Sequence, residues 1–484
     1  MAGVPGAVFF AHMRDGPMIR IRLPGGRATG QQLRAIAELA RRGGNDRIAL
    51  TNLSNFQVRG LEWINYSDLK RHLDQAGLLP PRLWAERRRN ILADPLSGLA
   101  TDELHPTAGL VARLDAAIQD EPLMKASSLK FGFVVDGGGP SRIGAQLHDA
   151  ALIAESRAGQ VRFRLYLTGQ ATQLTAAPEH AARLAVAAAV AALGFPARRD
   201  SAWRSVLKPL AYGGSSRLIA HPARMLLALT GPQETRIRRL LDHVPIEDLI
   251  RRIRELMPAE QFEISEPPAA LPALRPRIGI VPQSEPGLAI CGFGVPLGRL
   301  DSRLLALIAA LAEDFGTGEV RLSPWHVVFI PHVAEARAGE LMQAAEAAGF
   351  AVNDNFLTFD MSACSGRSGC RGARLETQDH ALEIMRALQQ LEQPPGAALS
   401  IHVSGCPKGC AHRTKSDILA LEREDASGYY LYEDSAALTP DLTKRYNGAV
   451  SPEELPAAVC RLAERRGLAS GSGNGHNRAD SSAD

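Results

Sequence analysis

The sequence lacks the features that mark several large classes of protein. No run of eighteen or more apolar residues occurs in its 484 residues, which excludes an ordinary membrane-spanning helix. Basic residues exceed acidic ones by only three charges, which gives no general case for nucleic-acid binding. The first apolar stretch, AVFFA, is too short for a secretory signal and is followed by His12 and Arg14. We therefore expect a cytoplasmic protein with no nucleic-acid and no membrane partner.

A dinucleotide-binding turn is also missing. No Gly-x-Gly-x-x-Gly segment opens a strand–helix unit, and DGGGPSRIG at 136–144 is only a glycine-rich turn. No NADH-binding site is therefore predicted in this chain, and a reaction that used NADH would need a separate electron-donor protein. The hydrophobic content of 45% is high enough for sizeable cores, and the length predicts about three domains.

Cysteine is scarce, but four of the six cysteines form two tight pairs. Four thiolates are what an iron–sulfur cluster needs. The pairs lie in SACSGRSGCRGA and HVSGCPKGCAH, and consist of Cys364 with Cys370 and Cys406 with Cys410. The glycines of the first segment predict a loop that can aim amide groups at a cluster. In the second segment, Ser404 as an N-cap and Pro407 in a first turn predict a helix with both sulfurs on one face.

Three other interpretations of the cysteines compete with a [4Fe–4S] cluster. Disulfide bonds fit a secreted protein better than this one. A structural zinc site usually has two to four residues between paired ligands, and the first pair has five. The thiols could also be ordinary buried side chains, which is our interpretation of the isolated Cys291 and Cys460. The spacing favours the cluster.

An internal repeat predicts the architecture. Each copy reads as a strand, a glycine turn, a helix, and two further strands. The two copies would pair about a pseudo-twofold axis and leave a cleft between them. The matched positions, at a constant offset of 272, are Pro24, Gly26, Arg27 and Thr51 with Pro296, Gly298, Arg299 and Ser323.

The segments outside the repeat predict two α/β arms. In the first arm, strand patterns at LKFGFVVD and VRFRLYLTG flank a predicted helix at HDAALIAES, and an alanine-rich helix follows. The tail from Leu468 has no apolar residues to bury and is predicted to be disordered. The predicted domains are a half-domain at 1–75, an arm with a helical extension at 76–270, a second half-domain at 271–338, a second arm with the cysteine motifs at 339–467, and the tail at 468–484.

The cysteine spacing, the repeat, and the segments TNLSNFQVRGL and RRNILADPLSG resemble the nitrite/sulfite reductase superfamily over residues 10–430. The resemblance implies an α+β fold, with duplicated ferredoxin-like half-domains paired by pseudo-twofold symmetry and two α/β arms. It also implies that the four cysteines bind a [4Fe–4S] cluster beside a tetrapyrrole. In the reductases the last cysteine, here Cys410, bridges the cluster to sirohaem iron.

The resemblance places basic residues that grip an oxyanion at four positions. Arg89 and Lys130 match, but the other two positions hold Leu53 and Gly132. Because losing one such contact costs on the order of 10²-fold in rate, oxyanion reduction is disfavoured. The stretches LKFGFVVDGGG, VRLSPWHVVFIP and HVSGCPKGCAH resemble instead the precorrin-3B synthase family, the last carrying Lys408 after Cys-Pro.

That family resemblance implies a monooxygenase of aerobic cobalamin biosynthesis. It would hydroxylate precorrin-3A at C20 with O2 and reducing equivalents and close a γ-lactone. Arg89 and Lys130 are the catalytic candidates, and Lys130 falls in an otherwise apolar strand pattern. Basic side chains suit the substrate carboxylates. The candidates for substrate binding are Arg59, Arg89, Lys130, Arg371 and Lys408.

A mononuclear non-haem iron is a possible second cofactor, although no facial-triad spacing identifies its ligands. His326, His402 and His412 lie near the motifs, but a lone histidine is more often a structural hydrogen-bonding group. Two alternative functions stay open. One is a sirohaem-dependent nitrite or sulfite reductase, and the other is a non-catalytic iron–sulfur electron-transfer or sensor protein.

Overall fold

The structure is a computed structural model, which describes residues 4–62, 64–141, 143–145, 148–195, 236–268, 276–353, 356, 359–391, 399–412, 415–446 and 448–471. The chain divides into two compact units. The first unit comprises the described residues within Met1–Ala11, Met18–Gly292 and Leu300–Leu341, and the second those within His12–Pro17, Phe293–Arg299 and Met342–Asp484. No described helix is long and apolar enough to cross a membrane.

The two copies of the repeat form two five-stranded sheets, ordered β1-β2-β5-β4-β14 and β12-β13-β16-β15-β3. The first copy supplies β1 (Ala11–Met13), β2 (Gly16–Ile21), β3 (Arg27–Thr29), α1 (Gly30–Gly43), β4 (Ile48–Leu50), β5 (Phe56–Val58) and α2 (Tyr66–Gln75). The second supplies β12 (Gly279–Pro282), β13 (Leu288–Gly294), β14 (Arg299–Leu300), α7 (Ser302–Phe315), β15 (Glu319–Leu322), β16 (Val327–Ala334) and α8 (Glu335–Ala347).

Each copy lends one strand to the sheet of the other. Strand β3 of the first copy pairs antiparallel with β15 of the second, and β14 of the second copy lies beside β4 of the first. Helices α1 and α7 pack against each other. The Gly30 amide donates to the Gly318 carbonyl at 2.8 Å, and the Ser302 amide donates to Asp46 Oδ1 at 2.9 Å. Since 30 and 302 differ by 272, as do 46 and 318, these contacts are related by the repeat.

Left-handed backbone conformations also recur at the offset of 272 residues. Gly25 has φ of 71° and its counterpart Leu297 has 52°, while Ser54 at 52° matches His326 at 58°. A left-handed backbone costs a non-glycine residue roughly 1–2 kcal/mol, so these positions are fixed by the surrounding fold. The duplication predicted from the sequence is therefore confirmed.

The first arm is a six-stranded sheet in the order β11-β10-β9-β8-β7-β6, with helices packed on it. Its strands are β6 (Ile91–Ala93), β7 (Phe133–Asp136), β8 (Ala150–Arg157), β9 (Gln160–Leu167), β10 (Gln170–Ala176) and β11 (Glu263–Ile264). Its helices are α3 (Ala108–Asp120), α4 (Pro178–Ala192), α5 (Ile237–Leu240) and α6 (Ile246–Leu256).

The helix predicted at HDAALIAES is wrong, because that segment forms β8. The strand pairs parallel with β7 and antiparallel with β9, and residues 150–154 are all buried. A central strand that is covered on both faces reads as a continuous apolar run, which periodicity cannot distinguish from a short buried helix.

The second unit contains a four-stranded sheet in the order β17-β18-β19-β20. Strands β17, β18 and β19 are parallel and β20 is antiparallel. Its elements are β17 (Phe359–Ala363), α9 (Gly366–Gly369), α10 (Thr377–Leu388), β18 (Leu399–Ser404), β19 (Ser416–Glu422), β20 (Tyr429–Ser435) and α11 (Leu455–Gly471). The predicted tail begins at residue 468, which is too early, because α11 continues to Gly471. Residues 472–484 lie outside the described part of the chain. The same is true of residues 196–235 and 269–275, which belong to the predicted helical extension and linker.

Candidate metal centre

The parallel strands of the second unit bring the two cysteine pairs to one edge of a sheet. Ala363, the last residue of β17, is in register with Val403 in β18. Cys364 follows β17 directly, and Cys406 comes two residues after the end of β18. The carboxyl ends of adjacent parallel strands are a common location for binding sites, because the loops that follow them converge.

The first pair encloses a single helical turn. Helix α9 (Gly366–Gly369) lies between Cys364 and Cys370, and the Cys370 amide donates to the Gly366 carbonyl at 2.8 Å. Gly366 has φ of 64°, a conformation that glycine adopts without a steric cost. The predicted loop therefore contains one tight turn that reverses the chain between the two sulfurs.

The helix predicted for the second pair is wrong. Residues 405–411 form turns and bends, and the Ser404 hydroxyl donates to the Cys406 carbonyl at 2.9 Å, so it does not cap a helix. Gly409 has φ of 54°, which is outside the helical region. A residue in the left-handed conformation between the two cysteines prevents the turn from continuing as a helix. The glycine at position 409 was the feature of the sequence that could have predicted this.

One cysteine of each pair borders a common space beside Gly372. A Cβ atom added to Gly372 would lie 3.6 Å from Cys406 Sγ and 3.7 Å from Cys370 Sγ. The Gly405 amide donates to Cys364 Sγ at 3.2 Å. Cys364, Cys370 and Cys406 are half-buried and Cys410 is exposed. A side chain at position 372 would occupy the space that both sulfurs border.

This arrangement fits an iron–sulfur cluster. The donor set is four thiols, and the Gly405 and Gly372 amides donate to Cys364 Sγ and Cys370 Sγ at 3.2 and 3.3 Å. Hydrogen bonds to sulfur are one of the means by which proteins tune such clusters. Within the described residues, no three Cys, His, Asp or Glu side chains converge on one point that could hold a single metal ion.

A group of residues that the sequence did not reveal holds the first loop in place. Glu422, at the end of β19, accepts hydrogen bonds from the Arg374 amide at 2.9 Å and from the Leu375 amide at 3.1 Å. Glu376 accepts from the Ser368 amide at 3.2 Å. Glu422 is 47 and 48 residues from its two partners, so no local sequence pattern predicts its role, whereas Glu376 follows the loop directly.

Replacing Glu422 with alanine should leave two loop amides unpaired, and we expect the protein to lose about 1–3 kcal/mol of stability. Iron should also dissociate severalfold faster when a chelator is added to protein purified without oxygen. The exposed Glu424 offers a matched control, and Glu424→Ala should change neither quantity. Equal iron-loss rates in the two variants would contradict this role of Glu422.

The histidines near the motifs do not form an evident iron site. His402 lies in β18 with none of its surface exposed, and burial lowers its pKa to about 3, which keeps the ring neutral. Its ring centroid is 5.8 Å from that of His412. The mononuclear iron ligands therefore stay unassigned.

The structure brings the Arg89 and Lys130 segments together in the first unit. Asn90 donates to the carbonyls of Leu129 and Phe131 at 3.2 and 3.1 Å. Arg89 itself forms a two-bond ion pair with Asp115, at 2.6 and 2.8 Å. Its charge is therefore compensated within the protein.

Lys130 does not lie in a strand, contrary to the prediction. It is exposed in the turn that precedes β7, and its amide donates to Ser128 Oγ at 3.2 Å. The strand begins only at Phe133 because the glycine at 132 and the turn before it interrupt the apolar pattern. The exposed position leaves the ammonium group accessible.

The other three basic candidates lie in different surroundings. Arg59 is 8% exposed and its Nη1 is 3.4 Å from Met18 Sδ in the first unit. Arg371 and Lys408 are exposed in the second unit, where Arg371 follows Cys370 and Lys408 lies between Cys406 and Cys410. The last two are thus fixed beside the quartet by the chain itself.

Gly132, where the resemblance expects a lysine, has no room for a side chain. A Cβ atom at this position would lie 2.7 Å from Cδ2 of the His148 ring. Substitution would force the imidazole to move, since real Cβ contacts are not that short. The half-buried His148 thus takes the space that a lysine side chain would need.

A buried carboxyl group follows β6 in the first arm. Asp94 is 3% exposed, and burial raises its pKa to about 7, with the charges of Asp136 and Glu103 acting in the same direction. A carboxyl group whose pKa is raised on folding destabilises the protein at high pH, because ionisation is then costlier in the folded state.

Replacing Asp94 with asparagine should therefore raise the free energy of unfolding at pH 8 by roughly 2–4 kcal/mol. The gain should shrink as the pH falls from 7 towards 4, because the folded carboxyl group is then protonated while the unfolded one is still ionised. Urea denaturation at pH 5 and pH 8 measures this difference, with the exposed Asp102→Asn as the control. A gain that does not depend on pH would refute the assignment.

Comparison with known proteins supports the architecture. Residues 12–76 and 281–348 match the model of the nitrite/sulfite reductase ferredoxin-like half domain, one match for each copy of the repeat. The NirA protein of Mycobacterium tuberculosis has a similar structure, with a TM-score of 0.69 at 17% identity over 96% of this chain and 82% of that one. The predicted fold, duplicated ferredoxin-like half-domains of the nitrite/sulfite reductase type, is confirmed.

The curated relatives include ferredoxin–nitrite reductases and a precorrin-3B synthase. The ferredoxin–nitrite reductase of Synechococcus elongatus is 28% identical over 416 residues, which cover 83% of this chain and 75% of the relative. That of Leptolyngbya laminosa is 27% identical over 85% of this chain and 78% of its own length. A precorrin-3B synthase of Sinorhizobium sp is 26% identical over 87% of this chain and 80% of its own length. These likenesses support the nitrite/sulfite reductase superfamily.

Proposed function

We propose that this chain is an oxidoreductase with a [4Fe–4S] cluster at Cys364, Cys370, Cys406 and Cys410, and that it acts as a precorrin-3B synthase. In this reaction precorrin-3A is hydroxylated at C20 and a γ-lactone is formed. One atom of O2 enters the substrate, and the other is reduced to water by two electrons and two protons. The reaction would take place in the cytoplasm.

The convergence of the two cysteine pairs supports the cluster. The sulfurs of Cys370 and Cys406 border the same space beside Gly372, and a backbone amide donates to Cys364. When bound, the cluster supplies electrons one at a time, which O2 chemistry requires. A separate NADH-dependent protein would be the electron donor. A mononuclear non-haem iron, held by histidine or carboxylate side chains, would be a second cofactor.

The single observation that favours the synthase over a reductase is the reduced set of oxyanion-binding groups. Leu53 brings no charge, and His148 occupies the space in which a side chain at Gly132 would lie. Arg89 is already paired with Asp115. Of the four expected cationic groups, Lys130 alone is both present and exposed.

The basic residues gain a different role if the tetrapyrrole is the substrate. Arg371 and Lys408 are exposed next to cluster cysteines and would bind substrate carboxylates. Lys130 is a further candidate for a substrate carboxylate and would also hold a proton for the reaction. Arg59 and Arg89 are candidates for the same carboxylates, although Arg89 would have to share its charge with Asp115.

A sirohaem-dependent nitrite or sulfite reductase is the second candidate, which the nitrite reductases among the relatives favour. The same four cysteines would then hold the cluster, which would supply electrons to a bound sirohaem. The third candidate, an electron-transfer or sensor protein with a cluster and no reaction of its own, keeps the same cysteine ligands.

The visible spectrum of full-length protein purified without oxygen separates the first two candidates. A synthase should show the broad absorption of a cluster, whereas bound sirohaem adds the sharp bands of a tetrapyrrole. Turnover assays complete the test, with precorrin-3A, O2 and a reductant in one, and nitrite or sulfite with the same reductant in the other. Product from precorrin-3A alone supports the synthase, and product from nitrite or sulfite alone refutes it. Inactivity in both assays favours the third candidate.

A further inference from the structure

We propose that Thr377 is a positioning residue that tunes the reduction potential of the cluster through a hydrogen bond to the sulfur of Cys364. This inference rests on the cluster of the proposed function, but it does not depend on which tetrapyrrole reaction the protein performs.

The hydroxyl of Thr377 faces two polar atoms of Cys364. Its Oγ1 lies 3.3 Å from Cys364 Sγ and 2.8 Å from the Cys364 carbonyl oxygen, to which the hydroxyl can donate. Thr377 has none of its surface exposed, so water does not satisfy the hydroxyl. Within the described part of the chain, these two atoms of Cys364 are the hydrogen-bond partners of the hydroxyl.

The backbone of the first cysteine loop packs against Thr377. Thr377 is the first residue of α10 (Thr377–Leu388), and a Cβ atom on Gly366 would lie 3.0 Å from its amide nitrogen. The loop of the first pair therefore packs directly on the start of the helix. The positive end of the helix dipole adds to the effect, because it also favours negative charge nearby.

Cys364 Sγ thus faces two donors when it is a thiolate ligand. The Gly405 amide donates at 3.2 Å, and the Thr377 hydroxyl can turn its hydrogen from the Cys364 carbonyl towards the sulfur. Reduction adds negative charge to the cluster and its ligands, so hydrogen bonds to sulfur stabilise the reduced state more than the oxidised one. Removing the hydroxyl should make the cluster harder to reduce.

Two substitutions isolate the hydroxyl. Thr377→Val removes it and keeps the branched shape, while Thr377→Ser keeps it and loses a methyl group. The midpoint potential is measured on full-length protein purified without oxygen, by EPR-monitored redox titration, with iron and sulfide content measured on the same samples. We expect Val to lower the reduction equilibrium constant about tenfold, which is about 59 mV for one electron. Ser should stay near the native potential, and both variants should retain native iron content.

Equal potentials in the native, Val and Ser proteins would overturn the inference, as would equal shifts in Val and Ser, which would indicate a packing effect. ENDOR spectra of the reduced cluster give a second readout. The Gly405 and Gly372 amides place exchangeable protons of their own near the sulfurs, so the Thr377 proton is the additional coupling that the native and Ser proteins lose in D2O and that Val lacks. If Val assembles no cluster, Thr377→Ala replaces it in both measurements, and an Ala protein with the native potential and the native couplings overturns the inference.

The outcome is separable from that of the proposed function. A potential shift confined to Val, together with no turnover of precorrin-3A, leaves the Thr377 role standing and removes the synthase. Turnover of precorrin-3A with unchanged potentials does the reverse. A native protein that takes up no iron overturns both.

Discussion

Replacing Cys410 with serine should lower the iron and sulfide content of the purified protein by about tenfold or more and abolish its visible absorption. A cluster of this type depends on thiolate ligands, and serine provides a hydroxyl that is rarely deprotonated. Cys410 is the most exposed member of the quartet, so the substitution disturbs packing less than it would at the other three. Activity should be lost with the cluster.

The matched control for this experiment is Cys460→Ser. Cys460 is a half-buried thiol on α11, outside the two cysteine pairs, and its substitution should leave iron content and absorption unchanged. A Cys410→Ser protein with full cluster content would show that the assigned ligand set is wrong. Loss of iron in both variants would point instead to a general effect of removing cysteines.

Replacing Glu86 with leucine should destabilise the first unit by about 3–5 kcal/mol. Glu86 pairs with Arg22 at 3.1 Å, and the two side chains are 1% and 0% exposed. Burial lowers the pKa of Arg22, the charge of Glu86 opposes this, and the charges of Arg87 and Arg89 act in the same direction as burial. Without Glu86 the guanidinium would be left buried among like charges. Urea denaturation measures the loss.

The double variant Arg22→Met/Glu86→Leu tests this explanation. It removes both charges, and apolar replacements of a buried ion pair are often tolerated, so we expect it to be more stable than the single variant. Arg22 Nε also donates to Asn90 Oδ1 at 2.7 Å, next to Arg89. If the double variant is no more stable than Glu86→Leu alone, the buried charge is not the source of the effect.

Much of the fold could be predicted because the repeat supplies the same pattern twice. Thr29 and Asp301, 272 residues apart, cap α1 and α7 through their side chains. Local capping and apolar periodicity therefore agreed in both copies. The helix prediction for HDAALIAES failed because this segment becomes a strand by pairing with β7 along one edge and with β9 along the other.

The candidate site was predictable only in part. The spacing of the cysteines and the glycine at position 409 can be read from the sequence. The left-handed conformation that makes Gly409 a turn residue is known only from the structure. The contribution of Glu422 depends on strand β19 lying beside β18, a pairing that the sequence around Glu422 does not encode. Likewise, Asp115 is 26 residues from Arg89, so the loss of a free charge at Arg89 could not be read from its neighbours.

The sequence by itself determined the duplication, the four thiols and the missing basic residues at positions 53 and 132, because these are matters of residue identity and spacing. The tertiary structure alone decided that Cys370 and Cys406 border one space, that the buried Thr377 faces the Cys364 sulfur, and that His148 fills the position beside Gly132. These facts depend on distances between segments remote in the chain, which only packing and sheet register establish.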